Sequence, residues 1–319
     1  MFLAIEEAIG NLFQIKLLNT ETGEYASVLP EFGGNLNQLV LANSQNELIA
    51  VIDGYATEAD AKANAGYKSS KLAPFPNRLR NGQYTFKRIK HEVAISRPQE
   101  GHAIHGLWHS ANYEVVKMKS SDEKASVHLI YTYRGETTGY PFACEIVLKY
   151  RFSAKGLRCT TEITNKGKSA MPFGDGWHPY FKLKTETIDA LQLTMPPVRY
   201  MPLDDRKIPT GNTVSYLDFF QANTINETQL DHGFEVLQSE GKAITTLSHT
   251  ENETTTNLEI WQECSTGTYN FLQIYTPTDR KTIAIEPMTC AADAFNNGLG
   301  LWTIPPKTTR KAKYGVRMR

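Results

Sequence analysis

Apolar and polar residues alternate along much of the chain with a period of two, which is typical of β-strands that bury one face. The clearest run has Cys144, Ile146, Leu148, Tyr150 and Phe152 on one side and Glu145, Lys149 and Arg151 on the other. The alternation returns at residues 157–164, after a turn at residues 153–156. These two runs predict a β-hairpin.

Shorter β-type runs occur at residues 83–87, 126–133, 258–262, 270–275 and 281–286, many of them separated by Gly, Pro, Asn or Asp. The main helical candidate is the short alanine-rich segment 57–65. Many strands with few helices predict an all-β protein, a large antiparallel β-sandwich. Because no repeat or linker-like tract interrupts the chain, we expect a single domain over residues 1–319.

The amino-acid composition narrows the classes of binding partner that the protein is expected to have. The 319 residues contain 34 Lys plus Arg and 34 Asp plus Glu, so no net charge favours binding to nucleic acid or to a membrane surface. No stretch approaches the roughly 18 apolar residues of a membrane span. The four cysteines lack the spacing of a disulfide framework or a zinc site. We expect a soluble cytoplasmic protein, and the sequence leaves export after removal of a leader open.

Two ionisable residues stand directly before prolines: His178 before Pro179 and Glu286 before Pro287. Proline forces the preceding residue into extended backbone, so both side chains project from stiff supports. A positioned imidazole and carboxylate form a candidate acid and base pair. A histidine among aromatic residues is also a common structural residue, whereas Glu286 shares its strand face with the small Ala284.

Other polar residues suggest ligand contacts. Two prolines stiffen the segment before Asn77 and Arg78, and the arginine fork suits paired oxygens, although a surface arginine is an equally good interpretation. Asp231 lies in a turn, where aspartate is common for local reasons.

His102, His105 and His109 lie close together in the sequence and raise the question of a metal site. Their spacing sends His102 and His105 to opposite faces of a strand. No matching carboxylate or cysteine spacing accompanies them, so we expect no metal. A structural or substrate-contacting role is favoured, with His105 as the best candidate.

Several segments together resemble the aldose 1-epimerase, or galactose mutarotase, family. They are Pro74-Phe75-Pro76-Asn77-Arg78-Leu79, Ile104-His105-Gly106, His178-Pro179-Tyr180-Phe181, Asp231 before an aromatic residue, and Ile285-Glu286-Pro287 followed by Asp293-Ala294-Phe295-Asn296. Each is short, but their order along the chain is fairly specific. The resemblance implies a large β-sandwich that interconverts the α and β anomers of a free aldose without a cofactor.

The resemblance also implies roles for residues. His178 and Glu286 correspond to the general acid and base, and Arg78, His105 and Asp231 to residues that hold the sugar; Asn77 is a further candidate contact. We expect ordinary pKa values for the catalytic pair, and stacking of Trp108 or Trp177 on the sugar. The expected partner is a monosaccharide, and the expected assembly is a monomer or a homodimer.

Alternatives remain at this point. Lys71, Arg78 and Arg80 could form the phosphate pocket of a hexose-6-phosphate 1-epimerase. The chain could also be a carbohydrate-binding sandwich without turnover, or a glycosidase that uses Asp231 and Glu286. Departures from the family pattern after Gly106 and around His178 leave the identity of the sugar open.

Overall fold

A computed structural model of the chain describes residues 1–238 and 240–319. The strands up to the first long hairpin are β1 (Phe2–Ile9), β2 (Leu12–Asn19), β3 (Tyr25–Leu29), β4 (Asn35–Ala42), β5 (Leu48–Ala50), β6 (Ser70–Lys71), β7 (Arg78–Arg80), β8 (Gln83–Phe86), β9 (Ile89–Glu92), β10 (His102–Ile104), β11 (Glu114–Lys119) and β12 (Lys124–Tyr133). The helix α1 (Glu58–Ala63) and a 3-10 turn (Ala65–Tyr67) lie between β5 and β6.

The later strands are β13 (Cys144–Ser153), β14 (Gly156–Asn165), β15 (Met171–Phe173), β16 (Trp177–His178), β17 (Tyr180–Phe181), β18 (Gln192–Thr194), β19 (Val198–Tyr200), β20 (Val214–Tyr216), β21 (Asn223–Thr224), β22 (Asp231–Val236), β23 (Lys242–Glu251), β24 (Thr254–Glu263), β25 (Phe271–Tyr275), β26 (Ile283–Met288), β27 (Trp302–Ile304) and β28 (Thr309–Met318). A 3-10 turn (Ile188–Ala190) and the helix α2 (Ala294–Asn297) lie among them.

Three large antiparallel sheets dominate the architecture. Their orders are β1-β2-β3-β4-β5, β11-β12-β13-β14-β28-β24-β23-β18-β21 and β17-β26-β25-β22-β19-β20. One hydrophobic core joins them, with Ile15 from the five-stranded sheet, Leu148 from the nine-stranded sheet and Ile285 from the six-stranded sheet. The predicted all-β antiparallel sandwich is confirmed. No helix among the described residues is long and apolar enough to cross a membrane.

The local pattern predictions are confirmed. β13 and β14 form the expected hairpin, with Ser153 opposite Gly156 at the turn. The five shorter runs fall on β8, β12, β24, β25 and β26. The helical segment is the single short helix α1, which begins where Thr57 and Asp60 form a capping box.

The six-stranded sheet positions two of the candidate residues, Asp231 and Glu286. Every residue of β26 is buried, in contrast to β20 at one edge of the sheet, where Val214 and Ser215 are exposed. Ile283 and Ile285 belong to the core, so Ala284 and Glu286 project from the opposite face. That opposite face is covered by the loops and short strands that carry the other candidate residues.

Candidate active site

Glu286 lies beside two other polar positions of the six-stranded sheet. It pairs in register with Gln273 of β25, which in turn lies opposite Gly233 of β22. Paired positions on neighbouring strands project from the same face, and Asp231 projects from that face because it lies two residues before Gly233. Gly233 contributes no side chain between them. The sheet therefore presents two carboxylates and an amide side by side.

The short strand β16 brings His178 against this face. The backbone N–H of Ser69 donates to the His178 carbonyl oxygen at 2.8 Å, and Pro179 keeps the backbone extended. His178 Nε2 lies 3.4 Å from Glu286 Oε1, and the imidazole stacks on Tyr180 with ring centroids 4.9 Å apart. The two pre-proline residues are therefore direct neighbours.

Arg78 is fixed by hydrogen bonds on two sides. Its Nε donates to Glu100 Oε2 at 2.6 Å and its Nη2 donates to Glu100 Oε1 at 3.3 Å. Its Nη1 donates to Asn77 Oδ1 at 3.2 Å. A two-point pair with a carboxylate holds the plane of the guanidinium, so its orientation is set before any ligand arrives.

A chain of hydrogen bonds links Asn77 to Asp231. Asn77 Nδ2 donates to Gln273 Oε1 at 3.3 Å, and Gln273 Nε2 donates to Asp231 Oδ1 at 3.1 Å. Lys207 Nζ then donates to Asp231 Oδ2 at 3.1 Å. Asn77 adopts a φ of 57°, in the left-handed region that asparagine tolerates better than most residues. The chain fixes several polar groups in a single arrangement.

His105 reaches the site from the loop after β10. Its φ is 62°, and a Cβ on the next residue, Gly106, would lie 2.1 Å from the carbonyl oxygen of Ala73. This close approach explains why glycine follows the histidine. The His105 ring lies 5.1 Å from that of His178 and 4.7 Å from that of Tyr67.

These side chains line one cleft of about 260 Å³. The catalytic and substrate-binding candidates from the sequence all lie in it: His178, Glu286, Asn77, Arg78, His105 and Asp231. Sequence reasoning missed Tyr67, Arg97, Glu100, Tyr180, Lys207, Gln273 and Tyr275. The alternation of β25 did put Gln273 and Tyr275 on one face, but only the strand pairing shows that this face meets Glu286. The lining is mostly polar, as a polyhydroxylated ligand requires.

Three buried polar atoms at the cleft have no hydrogen-bond partner within the described protein: His105 Nδ1, His178 Nδ1 and Glu286 Oε2. A buried polar atom without a partner costs about 1–3 kcal/mol. Unpaired buried polar atoms are uncommon in native proteins, and each one calls for an explanation such as a catalytic role. Their presence on three residues of one cleft marks it as a candidate functional site.

Burial changes the acid–base properties of the pair. His178 is 6% exposed and Glu286 is 2% exposed. Burial lowers the pKa of His178 from 6.5 to about 4 and raises the pKa of Glu286 well above its ordinary value. The expectation of ordinary pKa values was therefore wrong. Both shifts favour the neutral forms, so when the pair in the empty site holds a single proton, that proton lies on Glu286.

The predicted sugar-stacking tryptophans lie in the core instead. Trp108 packs against Tyr133 with centroids 4.8 Å apart, and Trp177 stacks on Tyr314 at 4.4 Å. Trp108 is 4% exposed and Trp177 is fully buried, and neither lines the cleft. The alternation along β16 sends Trp177 away from the face that carries His178.

The three cations predicted for a phosphate pocket do not meet. Lys71 Nζ forms a buried ion pair with Asp175 at 2.8 Å, and Asp175 also accepts a hydrogen bond from the Tyr269 hydroxyl. Arg80 pairs with Asp204, outside the cleft. Only Arg78 of the three lines the cleft, so the pocket proposed from the sequence was wrong in its composition.

The clustered histidines have separate surroundings. His102 Nδ1 accepts from the Asn81 backbone N–H at 3.1 Å, and His109 Nδ1 is hydrogen-bonded to Asn64 Nδ2 at 2.8 Å. Within residues 1–238 and 240–319, no group of three or more His, Cys, Asp or Glu side chains is arranged to hold a metal ion.

Solved structures share this fold. A galactose mutarotase-like protein from Clostridium acetobutylicum matches with a TM-score of 0.86 and 19% identity, over 100% of this chain and 98% of that chain. Galactose 1-epimerase from Lactobacillus acidophilus NCFM matches with a TM-score of 0.80 and 18% identity, over 100% and 98%. At these identities the likeness establishes a galactose mutarotase-like fold.

Sequence comparison adds the family. The uncharacterized protein YihR of Escherichia coli K12 is 28% identical over 237 residues, which are 72% of this chain and 72% of YihR. The model of the aldose 1-epimerase family matches residues 16–317. The chain therefore belongs to the aldose 1-epimerase family, which confirms the resemblance seen in its ordered segments.

Proposed function

We propose that this protein is an aldose 1-epimerase, an isomerase that interconverts the α and β anomers of a free aldose. The observation that carries the proposal is the buried His178–Glu286 pair, with Nε2 and Oε1 3.4 Å apart, facing a polar cleft. Binding alone needs no acid and base pair with shifted pKa values, and such shifts are concentrated at catalytic sites.

The reaction needs two coupled proton transfers. Glu286 takes the proton of the C1 hydroxyl while His178 gives one to the ring oxygen, and the bond between C1 and the ring oxygen breaks. Rotation about the C1–C2 bond presents the other face of the aldehyde. The reverse transfers then close the ring with the opposite configuration. The protein ends with the same proton count and needs no cofactor for this exchange.

The shared proton fits this cycle. A cyclic sugar requires the proton on His178, and the open-chain aldehyde leaves it on Glu286. Burial favours the second arrangement in the empty site, because both side chains are then neutral. The environment therefore lowers the energy of the ring-opened stage relative to the cyclic one. Sugar hydroxyls that donate to the Glu286 carboxylate would stabilise its ionised form in the ring-closed stage.

The surrounding side chains provide for binding. Arg78 and Asn77 on one side, and Gln273 and Asp231 on the other, offer fixed donors and acceptors to ring hydroxyls. Groups held in place before binding lose little freedom when the sugar arrives. His105 is neutral near neutral pH, since burial lowers its pKa well below the ordinary value, and a proton on His178 lowers that pKa further.

Polarimetry tests the proposal. Freshly dissolved α-D-glucose or α-D-galactose should reach its equilibrium rotation faster with the wild-type protein. Glu286→Gln and His178→Asn should each abolish the acceleration while circular dichroism stays native. Glu162→Gln and His128→Asn, both on the nine-stranded sheet, serve as matched controls and should leave it unchanged. Equilibration at the spontaneous rate with wild type, for every aldose tried, would overturn the proposal.

A further inference from the structure

We propose that a groove on the outer face of the nine-stranded sheet is a second ligand site, which binds a small multivalent oxyanion of the diphosphate or triphosphate type. The groove has a volume of about 810 Å³, larger than the active-site cleft, and shares no lining residue with it. The inference is independent of the proposed function, because no residue assigned to the reaction lies in the groove.

The groove gathers positive charge. Its cationic lining residues are Arg151, Lys155, Arg158, Lys242, Arg317 and Arg319. The acidic lining residue is Glu24, and Glu259 forms ion pairs with both Arg317 and Arg319. Counting a terminal carboxylate on Arg319 as a further negative charge still leaves the positive charges in excess by three.

Two arginines lie at the centre of this charge. Arg151 of β13 and Arg158 of β14 are directly opposite each other in the hairpin, so their side chains project side by side from one face. The core residues Leu157 and Cys159, on either side of Arg158, project from the other face. Like charges directly opposite each other on neighbouring strands are destabilising. Burial, followed by the charge of Arg151, lowers the pKa of Arg158 from its ordinary value.

Carboxylates of the same face are engaged by other cations. Glu162 pairs with Lys149 at 2.7 Å. Glu263 pairs with Lys313 at 2.9 Å. Among the residues that the structure describes, no carboxylate oxygen lies within 4.0 Å of the charged nitrogens of Arg151 or Arg158. The protein itself therefore leaves the charge of the arginine pair uncompensated.

Trp261 gives the groove an apolar floor. Arg158, Gly315 and Trp261 lie in one row across the neighbouring strands β14, β28 and β24. A Cβ on Gly315 would lie 2.6 Å from the Trp261 ring, so the indole covers the glycine backbone beside Arg158. Lys242 Nζ lies 3.8 Å from the centroid of the same ring. Charges of one sign above an apolar wall attract a counter-ion more strongly than isolated surface charges do.

The pattern of cations favours a phosphate chain over a single acid group. Each arginine fork can bond two oxygens of one phosphate, and a lysine adds a point charge. Two adjacent arginines therefore match two linked phosphates, with Lys155 of the hairpin turn and Lys242 lining the same groove. A single carboxylate would satisfy only one of the two forks.

Isothermal titration calorimetry with pyrophosphate tests the inference on the full chain, with inorganic phosphate and citrate as comparison ligands. Arg151→Gln and Arg158→Gln each remove one member of the pair. Arg310→Gln is the matched control, because Arg310 is exposed on β28 of the same sheet and does not line the groove. Arg97→Gln removes an arginine that lines the active-site cleft beside Tyr67, so it reports binding in that cleft instead.

We expect wild type to bind one pyrophosphate, more tightly than inorganic phosphate or citrate. Arg151→Gln and Arg158→Gln should each raise the Kd for pyrophosphate by about 10- to 100-fold, as loss of a charged hydrogen bond predicts. Arg310→Gln and Arg97→Gln should leave the Kd unchanged. Thermal denaturation without ligand checks that each variant is folded, and either arginine of the pair suffices for the test.

Four results would overturn the inference. They are absence of pyrophosphate binding to wild type, tighter binding of citrate than of pyrophosphate, equal weakening by Arg310→Gln, and a loss of binding confined to Arg97→Gln. Mutarotation rates measured on the same samples without pyrophosphate decide the proposed function separately, so failure of one proposal is distinguishable from failure of the other.

Discussion

Lowering the pH tests how the buried pair holds its proton. Burial lowers the pKa of His178 to about 4, so a second proton joins the pair only near that pH. Once both groups are protonated, no base remains to accept the C1 hydroxyl proton. We therefore expect kcat/KM to keep its plateau value down to about pH 5, and to fall by half near pH 4.

The size of the expected change in kcat/KM follows from the shift in the pKa of His178. With a pKa of about 4, about 90% of the pair still holds a single proton at pH 5, whereas with the ordinary pKa of 6.5 the share would be about 3%. The two cases differ about 30-fold in kcat/KM at pH 5. Such a difference far exceeds the scatter of a rate measurement.

At alkaline pH we expect kcat/KM to fall for the opposite reason, loss of a proton from the pair. Burial, followed by the charge of Asp231, raises the pKa of Glu286 well above its ordinary value, so the shared proton is retained to a higher pH than on a solvated carboxylate. When that proton leaves at higher pH, no acid remains for the ring oxygen and kcat/KM falls. The profile of kcat/KM reports the free enzyme, and its two limbs belong to the pair rather than to either residue.

The assay is initial-rate polarimetry in dilute buffers, with the spontaneous rate subtracted at each pH because buffers catalyse the same reaction. Circular dichroism at pH 4.5 checks that the fold persists. A half-maximal kcat/KM near pH 6.5 on the acid side would refute the reasoning, since it would mean that His178 titrates as a solvated imidazole.

Two further predictions concern the buried Lys71–Asp175 ion pair and the hydrogen-bond chain through Gln273. Asp175→Asn should lower the free energy of unfolding by about 3–5 kcal/mol, because it leaves the charge of Lys71, which is 2% exposed, without a partner. Urea denaturation measures this loss in free energy of unfolding. The double variant Lys71→Met/Asp175→Leu, which removes both charges, should recover most of it. A loss below about 1 kcal/mol in Asp175→Asn would argue against a charged buried pair. Gln273→Ala should reduce kcat/KM about 10-fold, mainly by raising KM, because the chain from Asn77 to Asp231 is broken. Steady-state kinetics decides this point, and unchanged constants would show that the chain does not position the sugar.

Much of the fold could be predicted because its signals are local. The β13–β14 hairpin follows from period-two alternation and a four-residue turn, both of which are visible within residues 144–164. Glu286 was predicted to face away from the apolar side of its strand for the same reason. The order of strands in the nine-stranded sheet, where β28 lies between β14 and β24, depends on distant pairings that no local pattern encodes.

The features of the site likewise divide into those that the local sequence predicted and those that depend on packing. His178 and Glu286 were identified separately, from prolines and neighbours, but their 3.4 Å approach arises from the packing of β16 on β26. The stacking prediction failed because Tyr133 and Tyr314, which bury Trp108 and Trp177, come from other strands. The pKa shifts were missed because they depend on burial in the folded chain. Arg97 could not be distinguished from any other surface arginine until its neighbours were known.

The central claim is that His178 and Glu286 act as one proton-transfer unit. The most direct test compares kcat for His178→Asn, Glu286→Gln and the double variant, with enough enzyme to exceed the spontaneous rate. Residues that act as a unit are strongly non-additive, so we expect each single variant to lose about 1,000-fold or more and the double variant to lie within about threefold of them. A double variant that loses the product of the two single effects, or a single variant with wild-type kcat, would contradict the account.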